Sequence, residues 1–266
     1  MYSTKVVFYV SSETLETLVR VLNEDLITKV NSSLKTSDIE KTKNCYRLQL
    51  IKWKCNQYNE DQIIESLSVF LNNHYLYEDL TKNDRISIDI LIKISGIDGE
   101  NETIPGLSFP STILSLCASI KINIIVQILL SHTPTKKEES RCGAYYYIAS
   151  DKYPLDIKKI NSITGTLPTV LEHKNDVLKH RISDSNVWGV ELFYFSTPNK
   201  AIDALVRIVI SPKEVGQYVL KEKLNSHIDL TYYGVYNKTS EFIIPHSFFT
   251  FCRDLQLKWL DVDIMP

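Results

Sequence analysis

Apolar residues along this chain recur first with the period of a strand and then with that of a helix, and the whole alternation runs twice. Val6 to Val10 is a β-rich run. Leu15, Leu18, Val19 and Leu22 follow at helical spacing, with Ser12 placed to cap that helix. Residues 29–43 are polar and predict a loop. Tyr46, Leu48 and Leu50 alternate with Arg47 and Gln49, the pattern of a half-buried strand. Ile64, Leu67 and Leu71 predict the next helix, Ile86 to Ile94 a strictly alternating strand, and 96–106 a loop.

The second half repeats this order. Tyr145 to Ala149 predicts a strand, and Ile157, Ile160 and Ile163 a helix that Gly165 and Pro168 should end. A polar connection over 169–185 leads to a strand centred on Trp188, where the first half has Tyr46. Ile202, Leu205, Val206 and Val209 predict an amphipathic helix, and a strand around Ile228 and Leu230 follows. The sharpest match comes next. Ile113, Leu116, Cys117 and Ile120 have the spacing of one buried helix face, and Phe248, Phe251, Cys252 and Leu255 repeat it. Each set lies at the same distance after a proline, Pro110 or Pro245. Small volume and easy burial make packing the expected role of Cys117 and Cys252.

A repeat of this length means a duplicated module. The expected fold is therefore α+β: two tandem α/β-sandwich modules, each of about four strands and three helices, packed as a pseudo-dimer. The first module is 1–130 and the second 144–266, with the polar, mixed-charge stretch 131–143 as linker.

Composition narrows the class without naming a function. The 266 residues are 44% hydrophobic and 23% charged, which fits a globular chain. A net charge of -2 disfavours a nucleic-acid-coating protein. Eight glycines leave little room for phosphate-cradling loops. The apolar stretch from Ile120 to Leu130 is interrupted by Lys121, Asn123 and Gln127, so no membrane span is expected. The opening residues lack the basic start and long apolar run of a signal peptide. Five cysteines with no CxxC spacing suit reduced thiols, and the expected location is cytoplasmic.

A second set of signals concerns kinship. The carrying residues are the tyrosine-rich strand at 145–147, Tyr153-Pro154-Leu155-Asp156-Ile157 opening a helix, Ile163-Thr164-Gly165-Thr166-Leu167-Pro168-Thr169, the Trp188 strand, and a final helix feeding Leu255-Gln256-Leu257. In these the second half resembles the bacterial domain-of-unknown-function family 4279. The first half shares the scaffold but lacks the glycine–proline–threonine turn. The resemblance brings no catalytic residues with it. It implies an immunity-type role, since some members look like immunity genes beside secreted toxins.

No catalytic, cofactor or metal motif is found in the sequence. Six histidines are scattered without ligand spacing. Ser32-Ser33-Leu34-Lys35 contains an SxxK string, but in a polar loop rather than on a helix. Asp89 and Asp229 occupy equivalent places in the two copies; alternation puts them on the solvated or helix-free side of their strands, and a carboxylate pair shared between copies is the other reading. Tyr232, Tyr233 and Tyr236 are candidate partner-binding rings, because tyrosine offers a large area with a polar tip. Asp261 and Asp263 flank Val262 in the last strand, as an acidic edge that steers a basic partner or as a charge-guarded edge strand.

These signals lead to a non-catalytic, cofactor-free binding protein with a protein partner. The specific expectation is an immunity protein that neutralises a toxin domain by stoichiometric occlusion. The alternative is a small-molecule or nucleic-acid binding module with its ligand between the repeats. An enzyme would need His, Asp and Tyr residues that converge only in space, with perturbed pKa values.

Overall fold

The computed structural model describes residues 2–23, 35, 38–42, 45–55, 59–72, 86–96, 106–130, 141–178, 183–233 and 239–265. The fold is α+β with two sheets, and the described residues form 12 strands and 7 helices. The first half supplies β1 (Tyr2–Ser12), α1 (Leu15–Asn23), β2 (Ile39–Lys41), β3 (Tyr46–Cys55), α2 (Glu60–Asn72), β4 (Ile86–Gly96), β5 (Leu107–Pro110), α3 (Ser111–Ser119) and β6 (Ile122–Leu130). The second supplies β7 (Arg141–Ser150), α4 (Ile157–Thr164), β8 (Val170–Glu172), β9 (Asn186–Phe195), α5 (Pro198–Ile208), α6 (Pro212–Lys221), β10 (Asn225–Tyr233), β11 (Thr239–Ile244), α7 (His246–Asp254) and β12 (Trp259–Met265).

The two sheets have one plan. Their orders are β11-β6-β4-β1-β3-β2 and β5-β12-β10-β7-β9-β8. In each, the third long strand of the copy runs parallel to the last, β4 with β6 and β10 with β12, and every other pairing is antiparallel. Each sheet thus has six strands rather than the expected four. Short β2 and β8 add one to each. The sixth is exchanged: β5 pairs with β12, and β11 with β6. The physical gain is clear for β6, whose Ile-rich run would otherwise be a sticky outermost strand.

The compact units are therefore not contiguous. One is Met1–Glu102, Ser115–Thr135 and Tyr236–Phe249; the other is Thr103–Leu114, Lys136–Val235 and Thr250–Pro266. A cut into 1–130 and 144–266 misplaces the exchanged strands. Of the expected linker, 131–140 lies outside the described residues, and Arg141–Gly143 opens β7. Ser32 to Leu34 of the SxxK string also lie outside them.

Each unit has an apolar core on one face of its sheet. In the first, Val6, Phe8, Val10, Ile88, Ile90 and Ile92 are buried, and Phe70 of α2 sits 3.7 Å from the Phe8 ring centroid. In the second, Tyr146, Trp188, Ile228, Leu230, Leu260 and Val262 are buried. Trp188 meets Tyr146 edge-on at 6.1 Å, and its Nε1 donates to Asn161 Oδ1 of α4 at 2.8 Å. Register places Tyr46 opposite Ser12 where Trp188 stands opposite Ile148, so the two rings are counterparts, as the sequence suggests.

Local signals act as expected at several ends. Asp156 caps α4 by accepting from Lys159 N–H at 3.0 Å, and Gly165 closes it at φ 75°. Cys117 and Cys252 are fully buried, and burial pushes both thiols up. Ser12 does not cap α1. Thr14 does, accepting from Thr17 N–H, while Ser12 accepts from Thr14 N–H. Strands β2 and β8 fall inside the expected loop 29–43 and polar connection 169–185, and helix α6 and strands β5 and β11 likewise have no counterpart in the sequence expectation, because such elements are short or follow a proline directly.

Candidate functional site

The face of the second sheet that carries no Trp188 holds the most unusual chemistry. Strand register lays Ser108, Asp261, Asp229, Tyr145 and Glu191 in one row across β5, β12, β10, β7 and β9. A neighbouring row holds Trp259, His227, Tyr147 and Gly189. On the other side, Asp263 lies opposite Thr231. Alternation sends all of these side chains to one face.

Burial sets the electrostatics. Desolvation pushes the Asp229 carboxyl up to about 7, with the Asp261 and Asp263 charges adding to the effect. The Asp229 carboxyl hydrogen-bonds to Asp261, which also receives the Ser108 hydroxyl. Asp261 and Asp263 are raised as well, chiefly by burial. His227 Nε2 lies 4.0 Å from Asp229 Oδ2, yet burial lowers its pKa to about 4. The imidazole is therefore neutral near pH 7 and does not balance the carboxylates. Among the described residues no Lys or Arg pairs with any of the three. Nor could any group of ≥ 3 His, Cys, Asp or Glu among those residues hold a metal ion.

Aromatic rings frame this acidic row. The Tyr147 ring lies 4.9 Å from His227, which lies 5.3 Å from Trp259. Tyr147 OH donates to Glu191 Oε1 at 2.8 Å; burial and that bond raise the phenol pKa. Gly189 makes room for the ring, because a Cβ there would collide with Tyr147 Cδ1. Gly189→Ala is expected to displace Tyr147 and lower stability by about 1–3 kcal/mol, as overpacking does; urea unfolding checks it, and an unchanged midpoint would refute the close fit. Phe193 stands edge-on to Tyr145 at 5.1 Å and is 45% exposed. Tyr194 beside it is 78% exposed and holds φ 67°, a conformation that costs a tyrosine energy.

The same row of the first sheet reads differently. Tyr9, Asp89 and Asn123 replace Tyr145, Asp229 and Asp261. Asp89 Oδ1 accepts from Asn123 Nδ2 at 3.0 Å, and Arg47 Nε stands 3.8 Å from Oδ2. Here one carboxylate has an amide and a guanidinium, where the second sheet has three carboxylates and, among the described residues, no cation paired with them. Further along this face, Lys5 lies opposite both Lys54 and Lys93, and burial with those neighbouring charges lowers its pKa.

Of the residues singled out from sequence, Asp261 and Asp263 reach this face. They are not on an edge: β12 lies between β10 and β5. The side of the strands that carries Asp89 and Asp229 is not fully solvated either. Asp89 is 6% exposed and Asp229 half-buried, because β4 and β10 are interior strands. Tyr232 points with Ile228 and Leu230 to the other face and is half-buried. Tyr233 lies in β10, but its side chain and the whole of Tyr236 lie outside the described residues. Sequence reasoning missed His227, Glu191, Phe193 and Tyr194. Only alternation from Asp229 and Trp188 could have found them.

No family model matches the chain, and no curated protein matches it. Among solved structures it has 14% identity to a bacterial light-regulated adenylyl cyclase, over 90% of this chain and 78% of the other, with a TM-score of 0.18. A likeness of that size carries no argument about fold or function.

Proposed function

We propose that the chain is a non-catalytic binding protein of the cytoplasm, an immunity-type protein that neutralises a bacterial toxin by stoichiometric occlusion. The observation that carries the reading is the cluster of Asp229, Asp261 and Asp263 on one face, without a cationic partner among the described residues, set beside the exposed rings of Phe193 and Tyr194. Partly desolvated carboxylates attract a Lys or Arg strongly, and neighbouring rings supply the anchoring area typical of interface hot spots. The immunity role is what the resemblance of the second half implies. No helix among the described residues is long and apolar enough to cross a membrane.

Co-expression with the product of the neighbouring gene is the test. The reading expects a tight complex and rescue of growth. Asp261→Asn with Asp263→Asn should weaken that complex by about 30-fold or more, the loss typical of a truncated buried charge pair. Phe193→Ala should weaken it by about tenfold or more. Unchanged affinity in both variants would sink the assignment of this face.

A second reading has one feature in its favour, the buried Asp229 carboxyl that hydrogen-bonds to Asp261 and is pushed up to about 7. A carboxyl that titrates near neutral pH is suited to general acid–base catalysis. Turnover of any substrate with a pH profile that Asp229→Asn abolishes would favour that reading over occlusion.

A further inference from the structure

The two sheets differ sharply at one cross-strand row, and the difference opens a cavity. In the second sheet Tyr147 lies between His227 and Gly189, and the two rings fill the space above the row. In the first sheet the matching residue Ser11 lies between Ser87 and Arg47. Two rings are thus replaced by two hydroxymethyl groups, and Gly189 by Arg47, whose guanidinium turns aside over the Tyr9 ring at 5.6 Å. The result is a cavity of about 290 Å³ lined by Ser11, Ser87, Asp89, Glu13, Cys45 and Ile86, near the lower end of ordinary ligand pockets.

Its walls carry unmet hydrogen-bonding capacity. Ser11 is 3% exposed, and its buried hydroxyl has no partner among the described residues. Arg47 Nε, on the strand beside Ser11 and behind the wall, makes no hydrogen bond among them and faces Asp89 Oδ2 at 3.8 Å. Native proteins rarely leave such groups unsatisfied, since each costs desolvation without return. The Asp89 carboxylate, with one oxygen on Asn123, keeps lone pairs to spare.

We propose that the first copy binds a ring-sized organic molecule bearing N–H donors, an aromatic amine or nitrogen heterocycle, in this cavity. Its ring takes the volume that the Tyr147 and His227 rings fill in the second sheet. Its donors reach Asp89 and Ser11. With Asp89 and Glu13 on the wall and Arg47 beside it, a neutral or singly cationic ligand fits and an anion does not. This site is separate from the acidic face of the second sheet, and the two assignments fail independently.

Cys45, a half-buried free thiol on the wall, reports occupancy. The experiment follows alkylation of Cys45 by iodoacetamide in the full chain, by peptide mass, with imidazole, aminobenzimidazole or benzoate present. Aminobenzimidazole at about four times its Kd should slow alkylation about fivefold, as mass action requires. Imidazole should protect at higher concentration, and benzoate should not. Ser11→Tyr, which installs the ring of the second sheet, should remove the probe effect while cooperative unfolding persists. Ser87→His does the same from the neighbouring strand if Ser11→Tyr does not fold. Protection by neither heterocycle, equal protection by benzoate, or protection that survives in the filled variants would overturn the proposal.

Discussion

Asp229→Asn is expected to be more stable than the parent chain at pH 8 and no more stable at pH 4. The reason lies in the direction in which the Asp229 pKa moves, from the ordinary 3.8 up to about 7 in the folded protein. A raised carboxyl pKa means that the fold favours the protonated form. That contribution is fully present below the unfolded pKa and is lost as pH rises through about 7. A rise of that size at a fully buried, isolated group would be worth about 4 kcal/mol. Partial exposure reduces this to about 2 kcal/mol, or about 4–8 °C in melting temperature. Asparagine keeps the donor toward Asp261 and has no proton to lose. His227 supplies the opposite slope. Its pKa falls from 6.5 to about 4, so its contribution is present above 6.5 and lost as pH falls through about 4. In the parent chain the two slopes offset each other over the acid range. In Asp229→Asn the opposing slope is reduced to that of Asp261 and Asp263, which burial also raises, so stability should decline more steeply below pH 6.5 than in the parent chain. Thermal melts from pH 4 to 8 decide the matter. A variant that tracks the parent at every pH would show that Asp229 ionises normally.

Trp188→Ala carries the largest expected loss of stability. Trp188 is fully buried, edge-on to Tyr146 and hydrogen-bonded to Asn161 of α4. Truncation to alanine leaves a cavity the size of an indole and should cost about 3–5 kcal/mol. It also strips the Asn161 carbonyl oxygen of its donor, which adds to the loss. Trp188→Phe fills part of the cavity and should cost clearly less. Urea unfolding followed by circular dichroism gives both values. A loss below about 1 kcal/mol for the alanine variant would mean that the site collapses and that the ring is not a keystone of the second core.

Much of the architecture is legible from periodicity. The alternation of Ile86 to Ile94 and the helical spacing around Cys117 and Cys252 recover their strand and helices, because each element must bury one face. The equivalence of Tyr46 with Trp188, and of Asp89 with Asp229, also holds in the register. Boundaries set by local hydrogen bonds are partly legible. Asp156 and Gly165 act as their residue types suggest, while Thr14 takes the capping role expected of Ser12.

The candidate site is far less legible. Asp261 and Asp263 are visible as acidic residues, but nothing local says that their strand is flanked on both sides. That flanking comes from β5, a four-residue strand of the other half of the sequence. Without it the two carboxylates would sit at an edge in water, and their pKa values would have no cause to rise. His227 looks like one scattered histidine among six, because its ring partners, Tyr147 and Trp259, lie far away along the chain. Aromatic contacts across strands leave no spacing signal.

By itself, then, the sequence determined most of the elements and their duplication: the long strands, most of the helices, and the matched buried faces of two α+β modules. Hydrophobic period is a local property, and it survives in the order of residues. Tertiary structure alone decided which strand completes which sheet, which carboxylates hydrogen-bond to each other, and that Ser11 and Ser87 face a cavity where Tyr147 and His227 fill one. Those outcomes depend on burial and on cross-strand neighbours. Pairing between strands fixes both, and it brings together residues whose separation along the chain carries no trace of the contact.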